Sequence, residues 1–231
     1  MMRIFKRLLI FLLFLFLLLN VMAAFHAYRF THFYDDVSLE RVKPEDLTSL
    51  EKAQMIFFGA RFPKSQIKSW PALPYERVVL KTQEGLNLEG WYVKAQAARG
   101  TIILYHGHGS SKSGILAEAD FFHQLGYHTL AVDFRAHGGS EGNVCTIGYK
   151  ETEDARLAYE YILAKGERNI ILWGVSMGAA TVLKAVPEYG LKPSAIILEC
   201  PFGTLLDAVK GRVRMMQLPR PLPKCLLSGV A

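Results

Sequence analysis

The chain has 231 residues, 51% of them hydrophobic and 21% charged, which excludes a disordered or fibrous polymer and fits one ordinary globular domain with an N-terminal appendage. The formal net charge is +6 and the isoelectric point near 9.2. Arg3, Lys6 and Arg7 supply three of those charges ahead of the domain, and no dense Lys/Arg stripe with interleaved aromatics follows, which argues against a nucleic-acid binder.

Residues Leu8 to Phe25 form an apolar run broken only by Asn20, long enough to span a bilayer core at the short end of the range. Basic residues precede it and Asp35-Asp36 follow it. The positive-inside tendency therefore predicts a cytoplasmic N-terminus and an extracytoplasmic remainder. A retained signal anchor is favoured over a cleaved signal peptide with Val21-Met22-Ala23 as its small-residue site. A buried core helix is disfavoured, because the run is apolar on every face. The expected organisation is an anchor over residues 1–25 standing apart from the fold, a connector over 26–75 and a folded domain over 76–231.

Within the connector, Thr48 to Phe58 reads as a short helix, and Pro63, Pro71 and Pro74 punctuate the rest. Arg77 to Lys81 and Leu86 to Val93 read as a hairpin through Gln83-Glu84-Gly85, with Leu88, Trp91 and Val93 in rough alternation. From residue 100 the rhythm becomes strand, loop, helix. Thr101 to Tyr105 is a continuous apolar run, expected of a strand buried on both faces. A helix follows over about Gly114 to Leu125, closed by Gly126, then a strand over His128 to Val132. In a helix over about Lys150 to Lys165, Ala155, Ala158, Tyr159 and Ile162 fall at helical spacing. A strand over Asn169 to Trp173, a helix from Ala179 and a strand over Ser194 to Leu198 complete the pattern. Alternation of this kind predicts a mostly parallel sheet with helices on both faces and ligands at the carboxyl ends of the strands.

Three loops leave that edge: His106 to Ser111, Asp133 to Gly142, and Gly174-Val175-Ser176-Met177-Gly178. The last follows a strand and opens a helix, so it reads as a nucleophile elbow. A serine on such a tight turn sits in strained backbone, and Gly174 and Gly178 remove the Cβ atoms that would clash. Acyl transfer also builds negative charge on the substrate carbonyl oxygen and needs preorganised N–H donors. The expected donors are the amides of Met177 and His108, with Gly107 and Gly109 letting the backbone turn inward. Cys145, Cys200 and Cys225 are scattered, without Cys-x-x-Cys or Cys/His spacing. Buried single thiols are expected, one disulfide being the other option, with no metal and no cofactor.

The segment Asp133-Phe134-Arg135-Ala136-His137-Gly138-Gly139-Ser140 resembles the Asp-x-Arg-Gly-His-Gly-x-Ser stretch of α/β-hydrolases, where the Asp and Arg pin the loop near the oxyanion turn. With His106-Gly107-His108-Gly109, Gly174 to Gly178 and Glu199-Cys200-Pro201-Phe202 in family order, residues 75 to 210 resemble α/β-hydrolases of the serine-aminopeptidase and monoacylglycerol-lipase-like type. That resemblance implies an α/β-hydrolase fold over 76–231 behind an N-terminal transmembrane helix. It further implies ester, thioester or amide hydrolysis through an acyl-enzyme on Ser176. A lipid or small-molecule acyl substrate and the membrane are the expected partners. A dehalogenase on the same fold is disfavoured, since serine holds the place of its carboxylate.

The chain departs from the family in one respect. A serine needs a base and the base an orienting carboxylate, in the chain order Ser, acid, His. The seven histidines, His26, His32, His106, His108, His123, His128 and His137, all precede Ser176. Glu199 is a candidate acid, while Asp207 reads as a solvated helix residue. The simplest expectation is a sequence truncated before its last strands; the alternative is a non-catalytic binding or scaffold protein that keeps the fold.

Overall fold

The structure is a computed structural model that describes residues 2–35, 48–208 and 210; Cys225 lies outside them. Six strands form one sheet in the order β3-β4-β6-β5-β7-β8, and β1 and β2 form a separate parallel pair. Strands β3 (Tyr75–Lys81) and β4 (Asn87–Val93) make the expected hairpin, and β4 pairs antiparallel with β6 (His128–Val132). From β6 the sheet is parallel through β5 (Thr101–Tyr105), β7 (Ile170–Val175) and β8 (Ala195–Glu199).

Strand β5 is central, and all five of its residues are buried. Ile103 and Tyr105 point to a core shared with Leu130, Val132 and Leu172 and with the inward faces of α4 (Glu151–Ala164) and α5 (Met177–Tyr189). Ile102 and Leu104 point the other way, to Ile115 and Ala119 of the 3-10 turn Lys112–Ile115 and helix α3 (Leu116–Gln124). The helices therefore cover both faces. Each fully buried aliphatic side chain contributes about 1.5–3 kcal/mol, which explains why these strands read as unbroken apolar runs. Strand β4 departs from the expected alternation: Gly90 to Val93 are all buried, because Trp91 and Tyr92 face covered sides of the sheet.

Helix α1 runs over Met2–Thr31, six residues past Phe25, and its end is tied into the domain. Phe33 of β1 (Phe33–Tyr34) is 3% exposed within the main core, its amide donates to Asn143 O at 2.8 Å, and Cys145 N donates to Thr31 O at 2.8 Å. Helix α2 (Ser49–Phe58) forms where expected. Its Thr48 cap and Glu51 make a reciprocal capping box, and β2 (Phe62–Pro63) follows it.

The chain divides into a unit Met1–Pro201 and a unit Phe202–Ala231. In the second, residues 205–208 are helical. Asp207 N donates to Thr204 Oγ1 at 3.1 Å, and Thr204 Oγ1 donates to Asp207 Oδ2 at 2.7 Å, so the Asp207 carboxylate is occupied with a turn.

Candidate active site

Ser176 stands between β7 and α5 with φ 52° and ψ −112°, a region that a residue with a Cβ enters only under constraint. The constraint is visible on either side. A Cβ on Gly174 would stand 2.6 Å from the Gly178 carbonyl carbon, and one on Gly178 would stand 2.7 Å from that of Tyr105. Strand, turn and helix are thus packed backbone to backbone, and only glycine fits at both ends of the pentapeptide. Ser176 N donates to Glu199 O at 2.8 Å, which ties the turn to β8.

The glycine-rich turn after β5 lies directly against this serine. A Cβ built on Gly107 would be 3.5 Å from Ser176 Cβ. Met177 is the first residue of α5 and fully buried; its amide belongs to the first helical turn, which has no intrahelical acceptor. Ser176 is half-buried, and its hydroxyl has no hydrogen-bond partner among the described residues. The structure therefore brings together Ser176, Met177 and the His106–Gly109 turn.

The histidines near the site are engaged in holding loops. His106 Nε2 accepts from Phe134 N at 3.2 Å, so Nδ1 carries the proton and donates to Gly107 O at 2.8 Å. His137 Nε2 accepts from Gly109 N at 3.1 Å, and its Nδ1 donates to Arg135 O at 2.8 Å. Both rings are buried and neutral. Burial pushes His106 down to about 4 and His137 down to about 3, the neighbouring His106 adding to the second shift. His108 stacks on Phe30 with ring centres 4.5 Å apart and donates from Nε2 to Phe30 O at 3.1 Å. His123 and His128 are partnered by Lys94 O and Ala95 N, remote from the elbow.

The Asp133–Gly142 loop is pinned through its own charges. Asp133 accepts from Lys112 N at 2.6 Å, Lys112 Nζ at 2.5 Å and Gly139 N at 2.8 Å. Lys112 is fully buried, also meets Glu89 at 2.8 Å, and lies 4.6 Å from the Trp91 ring centre. Arg135 reaches Asp154 at 2.6 Å and Glu153 at 2.8 Å, fastening the loop to α4. Glu151 accepts from Thr146 N, Thr146 Oγ1 and Gly148 N at 2.7–2.8 Å. Those bonds hold the β-branched Ile147 at φ 56°, next to Gly148, on which a Cβ would stand 3.1 Å from Thr181 Oγ1 of α5. Sequence reasoning missed Lys112, Glu151 and Asp154. Acidic and basic residues are rarely buried unless paired, and their partners are 3 to 23 residues away with no local pattern.

Glu199 does end the strand after the elbow, but its Oε1 accepts from Trp173 Nε1 at 2.9 Å. Of the thiols, Cys145 is buried beside Met177 (Sγ to Sδ 3.5 Å) as expected, whereas Cys200 is exposed at φ 48°, because the chain turns out of the sheet there. Among the described residues, no cluster of three His, Cys, Asp or Glu side chains is placed to hold a metal ion.

This sheet order, with an elbow after β7 and a glycine-rich turn after β5, defines an α/β-hydrolase. The serine aminopeptidase, S33 family matches residues 96–226, and the chain belongs to it. It is 32% identical over 127 residues to lysophosphatidylserine lipase ABHD12 of Danio rerio, covering 52% of this chain and 33% of that one. It is 29% identical over 132 residues to the uncharacterized membrane protein YNL320W of Saccharomyces cerevisiae, covering 56% and 46%. Among solved structures, the esterase Pf2001 of Pyrococcus furiosus superposes with a TM-score of 0.59 at 28% identity, covering 73% of this chain and 68% of that one. The chain spans between 33% and 59% of the length of the first curated relatives it matches.

Proposed function

We propose that this protein is a membrane-anchored serine hydrolase that cleaves an acyl ester, thioester or amide, with Ser176 as nucleophile. Ser176 Oγ attacks the acyl carbon while its proton passes to a base. The carbonyl electrons move onto oxygen, and the amides of Met177 and His108 hold that oxyanion. Collapse expels the alcohol, thiol or amine with a returned proton and leaves an acyl-serine, which water then hydrolyses by the same route. The observation that carries this reading is the strained backbone of Ser176 at φ 52° beside the Gly107 turn. A relaxed serine at a helix start has no need of it.

On this reading the anchor lies within residues 1–25 and the hydrolase domain begins near residue 76, on the extracytoplasmic side. Helix α1 contains a span, Arg3–Thr31, long and apolar enough to cross a membrane. A lipid acyl group is the favoured substrate class, supported by the likeness to a lysophosphatidylserine lipase and by the anchor itself. The base and the acid are not assigned to any of these 231 residues, whose seven histidines all precede Ser176.

A fluorophosphonate probe on membranes expressing the full gene product tests the assignment. A labelled band that disappears in Ser176→Ala is expected. A folded, membrane-inserted product that takes no label would favour the second reading, a scaffold that keeps the fold. The specific support for that alternative is that His106 and His137 are committed to loop backbone rather than to Ser176.

A further inference from the structure

We infer that helix α2 rests on the lipid surface beside the end of α1, with the face formed by Leu50, Ala53, Ile56 and Phe57 against the boundary between headgroups and acyl chains. Leu50, Ala53 and Phe57 recur at i, i+3 and i+7 and Ile56 widens the stripe, which is the pattern of one apolar helix face. In a soluble domain such a face is turned to the core. Here Leu50 is 69% exposed, Ile56 61% and Phe57 47%. A contiguous apolar face of this kind marks an interaction surface.

Continuity with α1 identifies the occupant as lipid. The apolar run from Leu8 to Phe25 is eighteen residues, about 27 Å of helix against a hydrocarbon core of about 30 Å. Phe25 therefore marks the depth at which α1 leaves the hydrocarbon. Its ring meets Phe58 of α2 edge-on at 5.4 Å. Just beyond, His26 Nε2 donates to Ile56 O at 2.9 Å and Arg29 Nη1 donates to Gly59 O at 2.6 Å. Gly59 turns at φ 79° with its Cα side against the His26 ring, where a Cβ would come within 3.1–3.3 Å of that residue. The carboxyl end of α2 is thereby fixed at the boundary. Arg29 lies 5.9 Å from the Phe58 ring centre, and Arg61, two residues past Gly59, 5.6 Å from that of Tyr34. Guanidinium groups with apolar support suit anionic headgroups, and interfacial helices combine such cations with an apolar face.

The inference deepens the membrane-anchored reading and rests on it. Because Phe30 of the same helix end stacks on His108, a docked α2 also sets the glycine-rich turn at a fixed height above the bilayer.

The test uses the full chain in vesicles of phosphatidylcholine and phosphatidylserine brominated near the headgroup end of the acyl chains. Single fluorescent labels are placed through Leu50→Cys, Phe57→Cys, Leu13→Cys or Glu160→Cys, in a background where Cys200 and Cys225 are serine and the buried Cys145 is kept. Labels at 50 and 57 should lose most of their emission to the bromines, while Glu160→Cys on α4 keeps its own. If Leu13→Cys is quenched but 50 and 57 match Glu160→Cys, the inference about α2 is overturned and α1 still spans. If Leu13→Cys is also unquenched, the anchor reading itself falls. Labels at 50 and 57 that are shielded from water yet unquenched would show a protein on this face and overturn the lipid assignment.

Discussion

The two sides of the elbow differ in how far they are built. Toward β5 the neighbourhood is closed: His106, Asp133, Arg135 and His137 are all at most 2% exposed, and each is partnered. Toward β8 it is open, with Ile196 40% and Ile197 37% exposed on a strand whose parallel neighbour β7 is mostly buried. Parallel strands are normally covered on both sides. The difference teaches that the proposed nucleophile and its proposed oxyanion donors are supported by burial, whereas nothing among the described residues shapes a base beside Ser176.

The hardest way to break the closed side is through Lys112. Its ammonium is buried between Asp133 at 2.5 Å and Glu89 at 2.8 Å. Lys112→Met should cost about 3–5 kcal/mol, because it strands the buried Asp133 carboxylate. Lys112→Met combined with Asp133→Asn should recover part of that loss. Urea unfolding followed by tryptophan fluorescence measures both. Equal midpoints for wild type and Lys112→Met would show that the loop is not held by its charge.

A second test uses pH. A histidine in the unfolded chain titrates near 6.5, while His106 and His137 in the fold are held down to about 4 and 3 by burial. The unfolded state therefore binds more protons over that window. The stabilisation is complete above about pH 6.5 and is lost as pH falls toward about 4, by on the order of 3 kcal/mol per ring. Unfolding midpoints between pH 7.5 and 4.5 should fall accordingly, and His106→Gln with His137→Gln should flatten the slope in that window. An unchanged slope in the double variant would mean that these rings are protonated in the fold and that the closed side is not dry.

Much of this asymmetry was legible in the sequence, for identifiable reasons. Burial on both faces writes itself as continuous apolar runs, so β5, β6 and β7 were placed within two residues. The elbow was legible because close backbone packing demands glycine at two fixed positions. The glycine-rich turn after β5 was likewise expected to lie against Ser176 and does. What stayed hidden depends on distant partners. Phe30 and Phe33 meet His108 and His137 across more than seventy residues, and nothing near them signals a ring stack. Lys112 reads as a surface residue until Asp133, Glu89 and Trp91 are folded around it. Cys200 was misplaced because a cysteine beside an apolar strand implies burial only if the strand is covered, and β8 is not.

The smallest expected effect lies on the open side and is the most discriminating. Glu199 is the one carboxylate on the strand after the elbow, and its side chain accepts the Trp173 indole N–H at 2.9 Å while its main-chain oxygen accepts Ser176 N at 2.8 Å. Both bonds hold the strand against the elbow, and neither needs a negative charge. Gln in its place keeps an oxygen for the indole, so Glu199→Gln should change stability by no more than about 0.5 kcal/mol. It should also leave the rate of fluorophosphonate labelling of Ser176 unchanged in the full gene product. The orienting acid of a serine triad behaves otherwise: its amide variant keeps the geometry but forces the wrong histidine tautomer and loses rate by roughly 10⁴-fold. A loss of that order at unchanged stability would turn Glu199 from a brace into the acid. The side toward β8 would then hold part of the catalytic machinery, and the contrast drawn between the two sides would fail.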